Sequence, residues 1–230
     1  RGWAALLAGA LGRVRFCNLA VGGATTADVH TRQLPAALAH RPHLASVLAG
    51  GNDVLRGNFD ARRSGERFEA TVAALCEGGA TVLTARLPDP CRLAPLPGPV
   101  RRPMAARVAA LNEAIDRVAA TYRTVHLQLD ADPTTYHRPM WSVDRIHLSE
   151  RGHRHLARRA ATALSAAGWR VPAPPDAEPD GVPPGRLGDA WWLARRGTVW
   201  FAARSADLFP HLLAASIADI RSSRRAHVAG

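Results

Sequence analysis

The sequence predicts an α/β fold, in which a mostly parallel β-sheet is covered by helices on both faces. Short apolar runs typical of buried strands alternate with longer segments whose apolar residues recur at helical spacing. A chain of 230 residues with 47% apolar residues is long enough to bury the core of such a fold. The predicted strands are residues 14–21, 43–48, 80–87 and 124–129.

The helices follow from apolar spacing and from residues that cap or break helices. Pro35 is expected to kink the second helix, and Ser149 is expected to cap the last one. Met104, Val108 and Leu111 belong to a stripe that predicts a helix with one buried face. The predicted helices are residues 3–11, 25 or 26 to about 39, 66–76, 104–122, and 150 to about 167.

Two long connections are predicted beside the carboxyl edge of the sheet. Residues 58–64 are mostly polar and lie between Gly57 and Gly65, and such a loop could border a ligand site. Residues 88–103 hold six prolines, and irregular connections of that length often have a function. We expect residues 88–103 to form one wall of a ligand entrance and residues 130–146 to form the last long loop.

Residues 49–53, Ala-Gly-Gly-Asn-Asp, end the second predicted strand. The glycines allow a sharp turn, and ligands of open α/β sheets bind at this edge. Asn52 could therefore donate a hydrogen bond to a developing oxyanion. Because Gly, Asn and Asp are also common turn residues, a plain turn is the alternative.

Two further segments could contribute to the same site. Asp144 and His147 lie three residues apart before a helix, a spacing that lets a carboxylate orient an imidazole base. An ordinary ion pair on a surface loop is the alternative. Gly23 follows the first predicted strand, and its backbone N–H could be a second oxyanion donor.

These segments, in this order, resemble the SGNH hydrolases, also called GDSL esterases and lipases. Gly23 matches the glycine block of that family, Asn52 the asparagine block, and Asp144 with His147 the last block. The resemblance covers roughly residues 1–168. It implies a flavodoxin-like three-layer α/β/α sandwich and hydrolysis of a small-molecule ester without a metal or an organic cofactor.

The block that carries the nucleophile in this family, Gly-Asp-Ser on the first strand, is absent from the sequence. The resemblance places it before Arg1 and between the first two strands predicted here. We therefore expect an N-terminally incomplete hydrolase that is inactive alone. Two alternatives are a non-catalytic SGNH-like binding domain and a basic module that binds membranes or polyanions.

Charge and cysteines restrict the possible partners. The net charge of +11 comes from a chain whose 30 basic residues are all arginine, a pattern typical of GC-rich codon usage. No nucleic-acid motif is present, so no specific nucleic-acid partner is predicted. Cys17, Cys76 and Cys91 predict neither a disulfide framework nor a zinc site. His153 and His155 are assigned to a solvated basic helix face, and a cytoplasmic location is the default.

The composition changes after the hydrolase-like segment. We predict a domain at residues 1–168, a Pro-rich linker at residues 169–187 and a helical tail at residues 188–230. The tail combines tryptophans, an apolar helical stripe and arginines. It is predicted to dock on the domain, although such a segment could also lie on an anionic membrane surface.

Overall fold

A computed structural model describes residues 1–93, 98–142 and 147–177, and it shows the expected alternation of helices and strands. A π-helical turn, Val29–Gln33, lies between two of the helices given below, and two 3-10 turns, Pro133–Tyr136 and Arg138–Met140, follow the last strand. The strands are β1 (Leu44–Val47), β2 (Thr81–Ala85) and β3 (Val125–Leu127). The helices are α1 (Trp3–Ala10), α2 (Thr26–Asp28), α3 (Leu34–Ala39), α4 (Gly51–Val54), α5 (Ala61–Glu77), α6 (Pro90–Leu93), α7 (Gly98–Tyr122) and α8 (Glu150–Ala166).

The described strands form one parallel sheet in the order β1-β2-β3. Leu44 pairs with Thr81, and Leu83 pairs with Val125. Parallel neighbours need crossover connections, which α5 and α7 provide. The predicted α/β class with a parallel sheet is confirmed.

Helices cover both faces of the sheet and give the molecule three layers. On one face, Phe68 and Val72 of α5 pack with Leu111 and Ile115 of α7. On the other face, α1 and α8 pack on the sheet through residues that include Leu7, Leu156 and Leu164. These buried residues recur at helical spacing, which is why the sequence predicted the helices.

Residues 14–21 are not a strand, so this prediction is wrong. Val14, Phe16 and Val21 are 46%, 45% and 66% exposed, and Cys17 is exposed as well. Among the described residues, β1 pairs with β2 alone. Among the described residues, this apolar run has no partner with which to form a ladder, so it has no regular secondary structure and stays exposed.

Two predicted loops turn out to be partly helical. Residues 88–103 contain α6 and the start of α7, with Pro103 inside that helix. In residues 58–64, α5 begins at Ala61 because the Asp60 side chain accepts a hydrogen bond from the Arg63 N–H at 3.0 Å. Asp60 is an N-cap that the sequence analysis missed.

Other local predictions are confirmed. The Ser149 hydroxyl accepts a hydrogen bond from the Gly152 N–H at 3.1 Å and caps α8. Pro35 lies in the first turn of α3, directly after the π-helical turn that interrupts the predicted helix. Thr25, rather than Thr26, caps α2, and Asp28 completes a capping box with it. The hydrogen bond from the Thr25 N–H lowers the pKa of Asp28 below its usual value.

The described start of the predicted linker packs against the domain. The Arg158 side chain donates a hydrogen bond to the Pro175 carbonyl at 2.9 Å, and Trp169 packs against the cluster formed with α1 and α8. The rest of the linker and the tail, residues 178–230, lie outside the described residues. The boundaries of the linker and of the tail therefore stay predictions. Within the described ranges, no helix has the length and apolar character needed to cross a membrane.

Candidate active site

Asn52 lies in the first turn of α4, immediately after the carboxyl end of β1. The turn depends on Gly50, which has a left-handed φ of +110° and is packed so closely that a Cβ would lie 2.5 Å from Cδ2 of Leu111. The Asn52 side-chain amide donates a hydrogen bond to the Ala24 carbonyl at 2.9 Å. A side-chain amide has two N–H groups, so this bond leaves one of them for a ligand.

Gly23 lies in the exposed turn that follows residues 14–21. Its φ is +81°, which favours glycine, and nothing within 4 Å would meet a Cβ there. The Ala24 N–H bonds to the Val21 carbonyl at 3.2 Å and closes the turn. Because Ala24 receives the Asn52 amide, the structure brings the segments of Gly23 and Asn52 together.

Asp53 joins the same two segments from below the surface. Its buried carboxylate accepts hydrogen bonds from the Thr26 N–H at 2.9 Å and from the Thr26 hydroxyl at 2.6 Å. The Ser64 hydroxyl of α5 donates to it at 3.1 Å. Asp53 follows Asn52 in the sequence, but no role was predicted for it.

Arg107 of α7 supports the α4 turn from the other side. Its guanidinium donates hydrogen bonds to the Val54 carbonyl at 3.1 Å and to the Arg56 carbonyl at 2.8 Å. Burial lowers the pKa of Arg107 from its ordinary value. Arg107 therefore satisfies carbonyls at the end of α4 that have no partner within the helix.

His147 is exposed and lies two residues before Ser149, the cap of α8. Its carbonyl accepts a hydrogen bond from the Ser142 N–H at 2.8 Å, beside an antiparallel bridge between Trp141 and Leu148. The two contacts hold the end of the last loop against the start of α8. Asp144 lies outside the described residues, so its hydrogen bond with His147 stays a prediction.

A second histidine, His153, lies near His147 in the first turn of α8. It is half-buried, and its Nδ1 accepts a hydrogen bond from the Trp3 N–H at 3.3 Å. Burial lowers the pKa of His153, and positive charge on His147 lowers it further. His153 is thus part of the packed contact between α1 and α8, and its assignment to a solvated helix face is wrong.

His155 pairs with Asp132, and a second described Asp-His pair joins His126 to Asp116. His155 Nε2 lies 2.7 Å from Asp132 Oδ2, and Asp132 also accepts a hydrogen bond from the Thr134 N–H at 2.9 Å. Burial acts to raise the pKa of Asp132, but the bond with His155 and the other contacts lower it overall. The Asp132–His155 pair holds the loop after β3 against α8. The assignment of His155 to a solvated helix face is therefore wrong.

The segments after β2 and β3 are tied together at Tyr136. Its hydroxyl accepts a hydrogen bond from the Asp89 N–H at 3.2 Å, and the Arg92 guanidinium lies 3.5 Å from its ring centroid. Both segments leave the carboxyl edge of the sheet, where ligands of such folds bind. That residues 88–103 form a wall of the entrance stays a prediction.

In the part of the chain that the structure describes, no three His, Cys, Asp or Glu side chains lie together as possible ligands of a metal ion.

Gly152→Ala is expected to lower the free energy of unfolding by about 2 kcal/mol or more. A Cβ at this position of α8 would lie 2.0 Å from the Met140 carbonyl oxygen and 3.0 Å from Leu148 Cδ2. The helix and the loop that carries His147 would have to separate. Urea denaturation of the parent and the variant measures the difference.

Gly9→Ala is the matched control for this prediction. Gly9 lies in α1, and nothing within 4 Å would meet its Cβ. Alanine there is expected to stabilise the protein by about 0.5–1 kcal/mol through helix propensity. A Gly152→Ala variant that gains stability in the same way would contradict the close contact with Met140.

The sequence itself decides the family of this chain. Residues 1–155 match the GDSL-like Lipase/Acylhydrolase family. The chain belongs to this family. The match covers all the predicted site residues, Gly23, Asn52, Asp144 and His147, and confirms the resemblance stated above. Among curated proteins, no match was found.

Three solved structures of similar fold are those of TesA, LAE5 and Axe2. TesA is 26% identical, with 72% of this chain and 88% of TesA covered and a TM-score of 0.58. LAE5, an alpha/beta hydrolase enzyme from the metagenome of Lake Arreo in Spain, is 21% identical, with 71% and 81% covered and a TM-score of 0.59. Axe2, an acetylxylan esterase from Geobacillus stearothermophilus, is 18% identical, with the same coverage and TM-score. The family membership and these folds make the chain similar to ester hydrolases.

Proposed function

We propose that this chain forms the part of a serine-type acyl-ester hydrolase that carries the oxyanion donors and the general base. In this proposal, the Gly23 N–H and the Asn52 side-chain amide form the oxyanion hole, His147 is the general base, and Asp144 orients it. The observation that carries the proposal is the contact between the two donor segments, with the Asn52 amide bonded to the Ala24 carbonyl beside Gly23. Two donors converging on one point are what a tetrahedral intermediate requires.

The nucleophile is proposed to be a serine on a further strand that adds to the free edge of β1. Among the described residues, that edge has no neighbouring strand, and the extended segment before it exposes Val14, Phe16 and Val21. Unpaired backbone groups and apolar side chains at a sheet edge favour a partner strand. A strand in this position would end beside Gly23 and Asn52.

The reaction then follows from these groups. The serine hydroxyl attacks the ester carbonyl carbon while His147 takes the hydroxyl proton. The carbonyl oxygen becomes an oxyanion that accepts hydrogen bonds from Gly23 and Asn52. Collapse expels the alcohol, which receives the proton from His147 and leaves an acyl-serine. Water, deprotonated by His147, attacks that ester and releases the acid and the free serine.

Two measurements on the full-length protein test this proposal. We expect it to hydrolyse short-chain p-nitrophenyl esters, and we expect a fluorophosphonate to label one serine and stop the reaction. Residues 1–230 expressed alone are expected to do neither, because they lack the nucleophile. A full-length protein that neither turns over these esters nor reacts with the fluorophosphonate would favour the non-catalytic binding domain.

A further inference from the structure

Asp53 is a buried carboxylate whose hydrogen-bond partners come from two other parts of the chain. Asp53 is only 5% exposed, and its partners Thr26 and Ser64 are 1% and 5% exposed. Oδ2 accepts from the Thr26 N–H, while Oδ1 accepts from the hydroxyls of Thr26 and Ser64. A buried carboxylate is costly unless such donors compensate for lost water, so this arrangement has one favoured geometry.

The two bonds from Thr26 connect the segments that carry the oxyanion donors. Asp53 directly follows Asn52, and Thr26 lies three residues after Gly23. We call this pair the Thr26–Asp53 clasp. Ser64 lies on α5 and binds the same carboxylate without belonging to either donor segment.

We propose that the Thr26–Asp53 clasp is the positioning device of the oxyanion hole, an inference that rests on the proposed function. Neither residue touches the substrate. The clasp sets the distance between the Gly23 N–H and the Asn52 amide before a substrate arrives, so the donors do not have to reorganise during the reaction.

The surroundings explain why the donors need such a device. Gly23 is exposed, and no atom lies within 4 Å of the position that a Cβ would take there. Asn52 is half-buried. The Asn52–Ala24 hydrogen bond is a single contact between two surface turns. The clasp adds two buried hydrogen bonds between the same two segments. Preorganised donors contribute most when they are held in place, and a misplacement of about 1 Å can cost about 10²-fold in rate.

Thr26→Val in the full-length protein is the decisive variant. Valine keeps the shape of threonine but removes the hydroxyl that bonds to Asp53 Oδ1 at 2.6 Å. We expect kcat for a p-nitrophenyl ester to fall about 10-fold or more, with KM changed less than about twofold. Thr26→Ser restores the hydroxyl and is expected to restore most of the rate.

Ser64→Ala is the matched control, because it removes a hydroxyl from the same carboxylate oxygen. If burial of Asp53 matters only for folding, both variants lower stability and kcat together. The clasp instead requires that Ser64→Ala keep kcat within about twofold of the parent at temperatures where both variants are folded. Equal losses of kcat in the two variants would overturn the inference.

A double-mutant cycle separates this inference from the proposed function. If Thr26 acts through the donors, Thr26→Val should lower kcat far less in an Asn52→Ala background than in the parent. An Asn52→Ala variant with full kcat would overturn the proposed oxyanion hole itself. A large loss from Asn52→Ala, together with no loss from Thr26→Val, would leave the proposed function standing and overturn the clasp alone.

Discussion

Replacing His147 by alanine in the full-length protein is expected to lower kcat for p-nitrophenyl esters by about 10⁴-fold or more. Alanine can neither take the serine proton nor return it to the leaving alcohol. His147 is exposed, so truncation removes few contacts, and its backbone contact with Ser142 is retained. Steady-state kinetics, with the folded fraction checked by circular dichroism, measure the effect.

His155→Gln is the matched control because His155 lies in α8, eight residues after His147, and has a carboxylate partner. Glutamine keeps a donor for Asp132, which lies 2.7 Å from His155 Nε2. We expect this variant to retain kcat within a few-fold of the parent. If His155→Gln lost activity while His147→Ala kept it, the Asp132–His155 pair would be the base, and the assignment of His147 would be wrong.

The layered fold could be predicted because its signals are local. Buried residues of α7 recur along one helix face, and the Thr81–Ala85 strand is rich in β-branched residues and is buried on both sides of the sheet. Residues 14–21 also combine apolar and β-branched residues, but the part of the chain that the structure describes offers them no partner strand. Strand formation depends on a neighbour, and a run of apolar residues alone does not reveal whether one is present.

The sequence also predicted that Gly23 and Asn52 lie at glycine turns, while their role in a site stays a prediction. The residues that support these two turns could not be predicted. Asp53 bonds to Thr26 across 27 residues, and His153 bonds to Trp3 across 150 residues. No local pattern encodes such long-range contacts. The spacing of Thr25 and Asp28 could have identified Thr25 as the cap, which would have left the Thr26 hydroxyl free for another partner.

Asn52→Ala is expected to lower kcat by about 10²- to 10³-fold while KM changes little. One N–H of the Asn52 amide is bonded to the Ala24 carbonyl at 2.9 Å, and the other is the proposed oxyanion donor. Charge develops on the carbonyl oxygen only as the serine attacks. Loss of the donor therefore weakens binding of the transition state much more than binding of the ester. Steady-state kinetics on p-nitrophenyl esters in the full-length protein separate the two effects.

Asn52→Asp tests whether the amide acts as a donor or merely fills space. Aspartate has nearly the same shape, but its carboxylate cannot donate and would repel both the Ala24 carbonyl oxygen and an oxyanion. We expect this variant to lose at least as much kcat as Asn52→Ala. The comparison is made where urea denaturation shows both variants folded, since each also loses the bond to Ala24. An aspartate variant that is clearly more active than the alanine variant would mean that the shape of Asn52, and not its N–H, supports catalysis.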